Sequence, residues 1–119
     1  MKQTKEEMVQ AIAEMIRRSE KAQQKFTLGT SQHTLLKNRM NALKIAMTLL
    51  ASDNRKAEDY SKENMERAEA PLASLISKNE KAQQKLKQGT WQYTMIEKNL
   101  QALYNAFSLL QQRLEALTE

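Results

Sequence analysis

Two glycines punctuate this chain, Gly29 and Gly89, each followed by threonine and separated by 60 residues. The stretch Glu20-Lys21-Ala22-Gln23-Gln24-Lys25 precedes the first and returns as Glu80-Lys81-Ala82-Gln83-Gln84-Lys85 before the second. Gap-free alignment gives 15 identities in the 32 pairs from Ser19/Asn79 to Leu50/Leu110. Identity at one fixed offset marks one structural unit used twice, which restricts the fold more than any other feature.

The unit is helical. Apolar residues recur at steps of three and four through Met8, Ile12, Met15, Ile16, Ala22 and Phe26, the signature of one helix face between Thr4 and Leu28. Gly29 stands where a left-handed residue ends a helix, with Lys25 favourably placed in the last turn. Thr30 or Ser31 caps the next helix. So short a connection returns the second helix antiparallel to the first, as an αα-hairpin. That helix, about 31–51, carries a broad apolar face from Leu35, Leu36, Met40, Ala42, Leu43, Ala46, Met47, Leu49 and Leu50. Both helices are too long, and the turn too tight, for a DNA-binding helix-turn-helix.

Residues 52–70 form a charged connecting helical segment, with Ser52 or Asp53 as a cap. Ten of the 17 residues from Asp53 to Glu69 are charged. The single proline, Pro71, matches Ala11 of the first copy. We read it as a bend inside a long third helix; the alternative is a break with Pro71 opening a new helix. Leu72, Leu75, Ile76, Ala82 and Leu86 then restore the first pattern. The last helix, about 91–117, repeats the second with Met95, Ile96, Leu100, Ala102, Leu103, Ala106, Phe107, Leu109 and Leu110.

The expected fold is therefore all-α: an antiparallel four-helix bundle of two tandem, sequence-related hairpins. It is a single domain over 1–119, with repeat 1 about 3–51 and repeat 2 about 71–119. With 119 residues, two glycines and one proline, there is material for one core and few connections. No cysteine and one histidine exclude disulfides and the usual zinc sets. Di-metal bundle chemistry needs Glu-x-x-His pairs, and His33 has no glutamate at position 30. No nucleophile–base arrangement assembles around His33, and no phosphate-cradling glycine loop exists. No catalytic residue, metal or cofactor is expected. The charged start has no apolar region behind it, and no window is long enough to span a bilayer. A cytoplasmic protein without membrane insertion follows.

Three groups of residues stand out. Ser19 falls inside the apolar stripe of the first helix and Arg39 inside that of the second; their mates are Asn79 and Asn99. Each lies about ten residues from its glycine, so the four share a polar layer that either fixes register or forms a small cavity for an anionic or amide-bearing ligand. The second group is a basic stripe, Arg18, Lys21 and Lys25, repeated as Lys78, Lys81 and Lys85. It either keeps a helix face wet or tracks phosphates. The third is Trp91, Tyr93 and Tyr104, candidate contact aromatics whose mates are Ser31, His33 and Lys44.

In size, charge and plan the chain looks like several small bacterial helical-bundle groups, bacteriocin-immunity-type proteins among them. That resemblance is one of architecture and carries no motif. The residues favour a non-enzymatic protein that binds another protein, itself or a different one. Nucleic acid or phosphate on the basic stripes is the alternative, and a small ligand in the polar layer is a third.

Overall fold

The computed structural model describes residues 3–51 and 60–118. Four helices account for them: α1 (Lys5–Gln23), α2 (Ser31–Leu50), α3 (Lys62–Gln84) and α4 (Trp91–Thr118), with no strand among the described residues. Each start is capped by a hydroxyl. Thr4 accepts from the Glu7 N–H while the Glu7 carboxylate accepts from the Thr4 N–H, a reciprocal box. Ser61 and Asn64 form the same box on α3. Thr30 and Thr90 each accept from the N–H three residues on, at 3.3 Å in both cases. The expected caps at Ser52 and Asp53 lie outside the described residues, and α3 begins instead behind Ser61.

The tips correct one expectation. Helix α1 does not run to Leu28; it stops at Gln23, so Lys25 and Phe26 belong to the connection. The reason is the Gly-Thr pair. Thr30 donates both its N–H and its hydroxyl to the Thr27 carbonyl, closing a turn that needs φ +93° at Gly29. Lys87 and Thr90 make the same two bonds around Gly89 at φ +87°. Glycine alone enters this region without strain, and the turn uses up the residues a longer helix would have needed.

Helix α3 is continuous through Pro71. Proline has no N–H to give, so the carbonyl of Arg67, one turn earlier, loses its helical donor.

Helices α2 and α4 each pack on all three others, whereas α1 and α3 do not touch. Alanine explains how the central two approach: Ala42, Ala46, Ala102 and Ala106 are all buried. Ile12, Leu43, Leu72, Leu103 and Leu110 fill the middle with no exposed surface. In its shortest dimension the molecule measures 20 Å, about two helix diameters. Among the described residues, no helix is long and apolar enough to cross a membrane.

Candidate interaction surface

Phe26 and Leu35 occupy core phase on the helical wheel, yet Phe26 is 40 % and Leu35 54 % exposed. Phe26 follows the end of α1 and Leu35 lies in the second turn of α2, so apolar side chains continue into solvent at this tip. Leu28, beside the turn, is 82 % exposed. The expectation that Phe26 and Leu35 belong to the core is thereby corrected: both are exposed. At the second tip Leu86 and Met95 are half-buried, and position 88 is a glutamine.

Cations surround the first tip. Arg18, Lys21 and Lys25, which lead up to it, are exposed; Lys78, Lys81 and Lys85 lead up to the second tip and are exposed too, and none of the six joins an ion pair among the described residues. Lys37 and Lys44 stand two turns apart on one side of α2, also exposed and without an ion pair among the described residues.

Two hollows open along this side and run together, because Asn41 and Lys44 line both. One, of about 520 Å³, lies against Leu28, Gly29, His33 and Lys37. The other, of about 600 Å³, lies between α2 and α3 and adds Asn38, Ile45, Tyr60, Asn64, Arg67 and Pro71. Its floor includes Ile45, 4 % exposed, where the repeat mate Asn105 is exposed. Together they make a trough following α2 from His33 to Ile45, about 18 Å at the helical rise.

A counterpart hollow of about 520 Å³ joins the start of α1 to the second tip, lined by Gln3, Glu7, Gly89, Tyr93, Glu97 and Gln101. The charges have changed sign. Glu7 stands at the position of Arg67, and Glu97 at that of Lys37. The Glu97 carboxyl is held below its ordinary value, first by the amide of Gln83 and then by that of Gln101, against a small opposing effect of burial. In place of Lys44 there is Tyr104, whose hydroxyl donates to Glu80 at 2.6 Å. That bond, with the Glu80 charge, pushes the phenol up to about 12. Side chains thus tie α3 to α4 through Tyr104–Glu80 and Gln83–Glu97. Between α1 and α2 the corresponding tie is Gln23, whose amide donates to the His33 carbonyl at 3.2 Å.

The predicted polar layer is not brought together by hydrogen bonds. Ser19 is buried at 7 % exposure; Arg39, Asn79 and Asn99 are half-buried. Asn79 donates to the Leu75 carbonyl of its own helix at 2.8 Å, and no hydrogen bond joins any two of the four. Trp91 is 72 % exposed, Tyr93 half-buried and Tyr104 39 % exposed. No group of three or more metal-ligating side chains occurs among the described residues. Sequence reasoning passed over the trough residues Lys37, Asn38, Asn41, Asn64 and Arg67. The signal was present in the repeat alignment, where Lys37/Glu97 and Arg67/Glu7 exchange sign.

Comparison with protein-family profiles, with curated proteins and with solved structures gives no match. The geometry and the sequence carry the functional reading alone.

Proposed function

We propose that this is a non-enzymatic helical-bundle protein that works by binding another protein through the open end of its first helix pair. The observation that carries the reading is the set of exposed apolar side chains about the first turn, Phe26, Leu28 and Leu35, next to helices whose apolar faces are buried further down. Contiguous apolar surface rimmed by charge is the usual form of a protein contact. The rim here is cationic and unpaired, which favours an acidic partner.

The same reading takes the chain as two duplicated hairpins with antiparallel helices. The turn bonds that recur at Gly29 and Gly89 support it.

A second reading, nucleic acid on the basic stripes, draws on the exposure of all six stripe residues. Stacking aromatics would strengthen it, but Trp91 and Tyr93 belong to one copy only.

Affinity capture from the native host tests both. Wild type and the triple variant Phe26→Ser/Leu28→Ser/Leu35→Ser are compared, with and without nuclease. Capture of a protein that survives nuclease and is lost in the variant is the expected result. Capture abolished by nuclease would transfer the assignment to nucleic acid, and equal capture by the variant would remove the tip from consideration.

A further inference from the structure

We infer that the trough along α2 binds an extended acidic segment of the partner, with two carboxylates three residues apart. The inference rests on the protein-binding reading above and gives that surface a ligand chemistry.

Three features converge. Lys37 and Lys44 lie on one side of α2, seven residues apart, which is about 10 Å at the helical rise. A polyproline-II-like chain has three residues per turn and a rise of about 3.1 Å, so its residues i and i+3 project to the same side about 9 Å apart. Two acidic residues at that spacing meet both lysines at once. A helical segment would offer side chains but no free backbone; an extended chain keeps its N–H groups available. The trough has an acceptor for one of them. Pro71 lines it beside Arg67, and the Arg67 carbonyl is the one that Pro71 leaves without a donor. The amides of Asn38 and Asn41, which give and accept equally, add partners for peptide groups along the same wall. Asn64 is already engaged in the Ser61 cap, and the Arg67 guanidinium is paired with Glu63, so neither is needed for the contact.

The counterpart hollow supplies a control within the molecule. It is lined by Glu7 and Glu97, which stand for Arg67 and Lys37, with Lys98 beside them; outside the lining, Tyr104 stands for Lys44 and Ala11 for Pro71. An acidic segment meets repulsion there, and the helix carbonyls beside Ala11 keep their donors.

The test uses the whole protein and two fluorescein-labelled nine-residue peptides with a proline near each end, which favours the extended form and leaves the central N–H groups free. One carries two glutamates three residues apart; its twin carries glutamines. By fluorescence anisotropy the glutamate peptide is expected to bind at least tenfold more tightly than its twin. The variant Lys37→Glu/Lys44→Glu loses that preference and binds a third peptide, with lysines at the two positions, in its place. Pro71→Ala weakens the glutamate peptide severalfold while raising the melting temperature, which a merely structural role of Pro71 does not produce. Glu97→Gln leaves binding unchanged. Equal affinity for the first two peptides, or no binding of either, overturns the inference. So does displacement by an equimolar single-stranded 12-mer of DNA, which would mean a general polyanion surface. Host-protein capture lost in the Phe26/Leu28/Leu35 variant but kept in Lys37→Glu/Lys44→Glu would sink this inference and leave protein binding standing.

Discussion

The two helix pairs turn on the same Gly-Thr bonds and bury matching residues, but they leave different surfaces behind. Around the second turn, side chains knit α3 to α4 through Tyr104–Glu80 and Gln83–Glu97. Around the first, the equivalent positions hold Lys44 and Lys37, whose side chains reach no partner among the described residues, and apolar side chains run out into solvent. The two pairs thus share much of their packing while their surface chemistry differs. One half is closed on itself, and the other is open.

If the packing is shared, the largest perturbations must be symmetric. Leu43 and Leu103 are repeat mates with no exposed surface. Truncating either to alanine costs about 2–5 kcal/mol, and chemical denaturation should place the two variants close together. A loss in one much greater than in the other would show that the halves do not share the core equally.

Pro71 breaks the symmetry within the helices themselves. Pro71→Ala should stabilise the fold by up to about 3 kcal/mol, and Ala11→Pro should destabilise it by a similar amount. No change in melting temperature on Pro71→Ala would mean that the helix has already absorbed the proline.

The glycines come next. Neither would bring an added Cβ within 4 Å of another group, so the penalty is purely that of the backbone at φ +93° and +87°. Gly29→Ala and Gly89→Ala are each expected to cost about 1–2 kcal/mol. Unequal costs would reveal that one tip relaxes more freely than the other.

The smallest effect tests the closed half alone. Tyr104→Phe removes an exposed hydrogen bond and should cost less than about 1 kcal/mol. Its pH dependence has a defined sign. The phenol is raised in the folded state, so its contribution is complete below the ordinary tyrosine value near 10 and fades as pH rises through about 12. Glu97 works in the opposite direction: lowered in the folded state, it stabilises above the ordinary carboxylate value and loses that contribution on acidification. A cost of Tyr104→Phe that stayed constant through the alkaline range would remove this tie from the account of the closed half.

Much of this was legible in the letters. Steps of three and four identified Ile12, Ile16, Leu43 and Leu103 as interior, and the structure buries all four. The four helices and the continuity of the third through Pro71 followed from the same reasoning. Phe26 and Leu35 show where that reasoning stops. Periodicity reports the angle of a side chain around its helix, not how far along the axis a facing helix extends. The proposed layer of Ser19, Arg39, Asn79 and Asn99 depended on the same unreported distance, and only Ser19 is buried. The trough escaped notice for another reason: it depends on which outer faces α2 and α3 turn towards each other. Pairing charges between copies, rather than counting them by segment, would have pointed to it.

One consequence of the unpaired lysines has a practical bearing. The fold draws on exposed pairs such as Arg17–Glu14 and Arg67–Glu63, which contribute little. Ionic strength therefore acts on two properties of this molecule in opposite ways. Screening relieves repulsion among the excess positive charges, so thermal stability should hold or rise slightly as salt is added. Association with an acidic partner weakens under the same change. On the proposed reading, added salt is expected to release an acidic partner and leave the fold intact, so that a captured partner would elute without denaturing the protein that holds it.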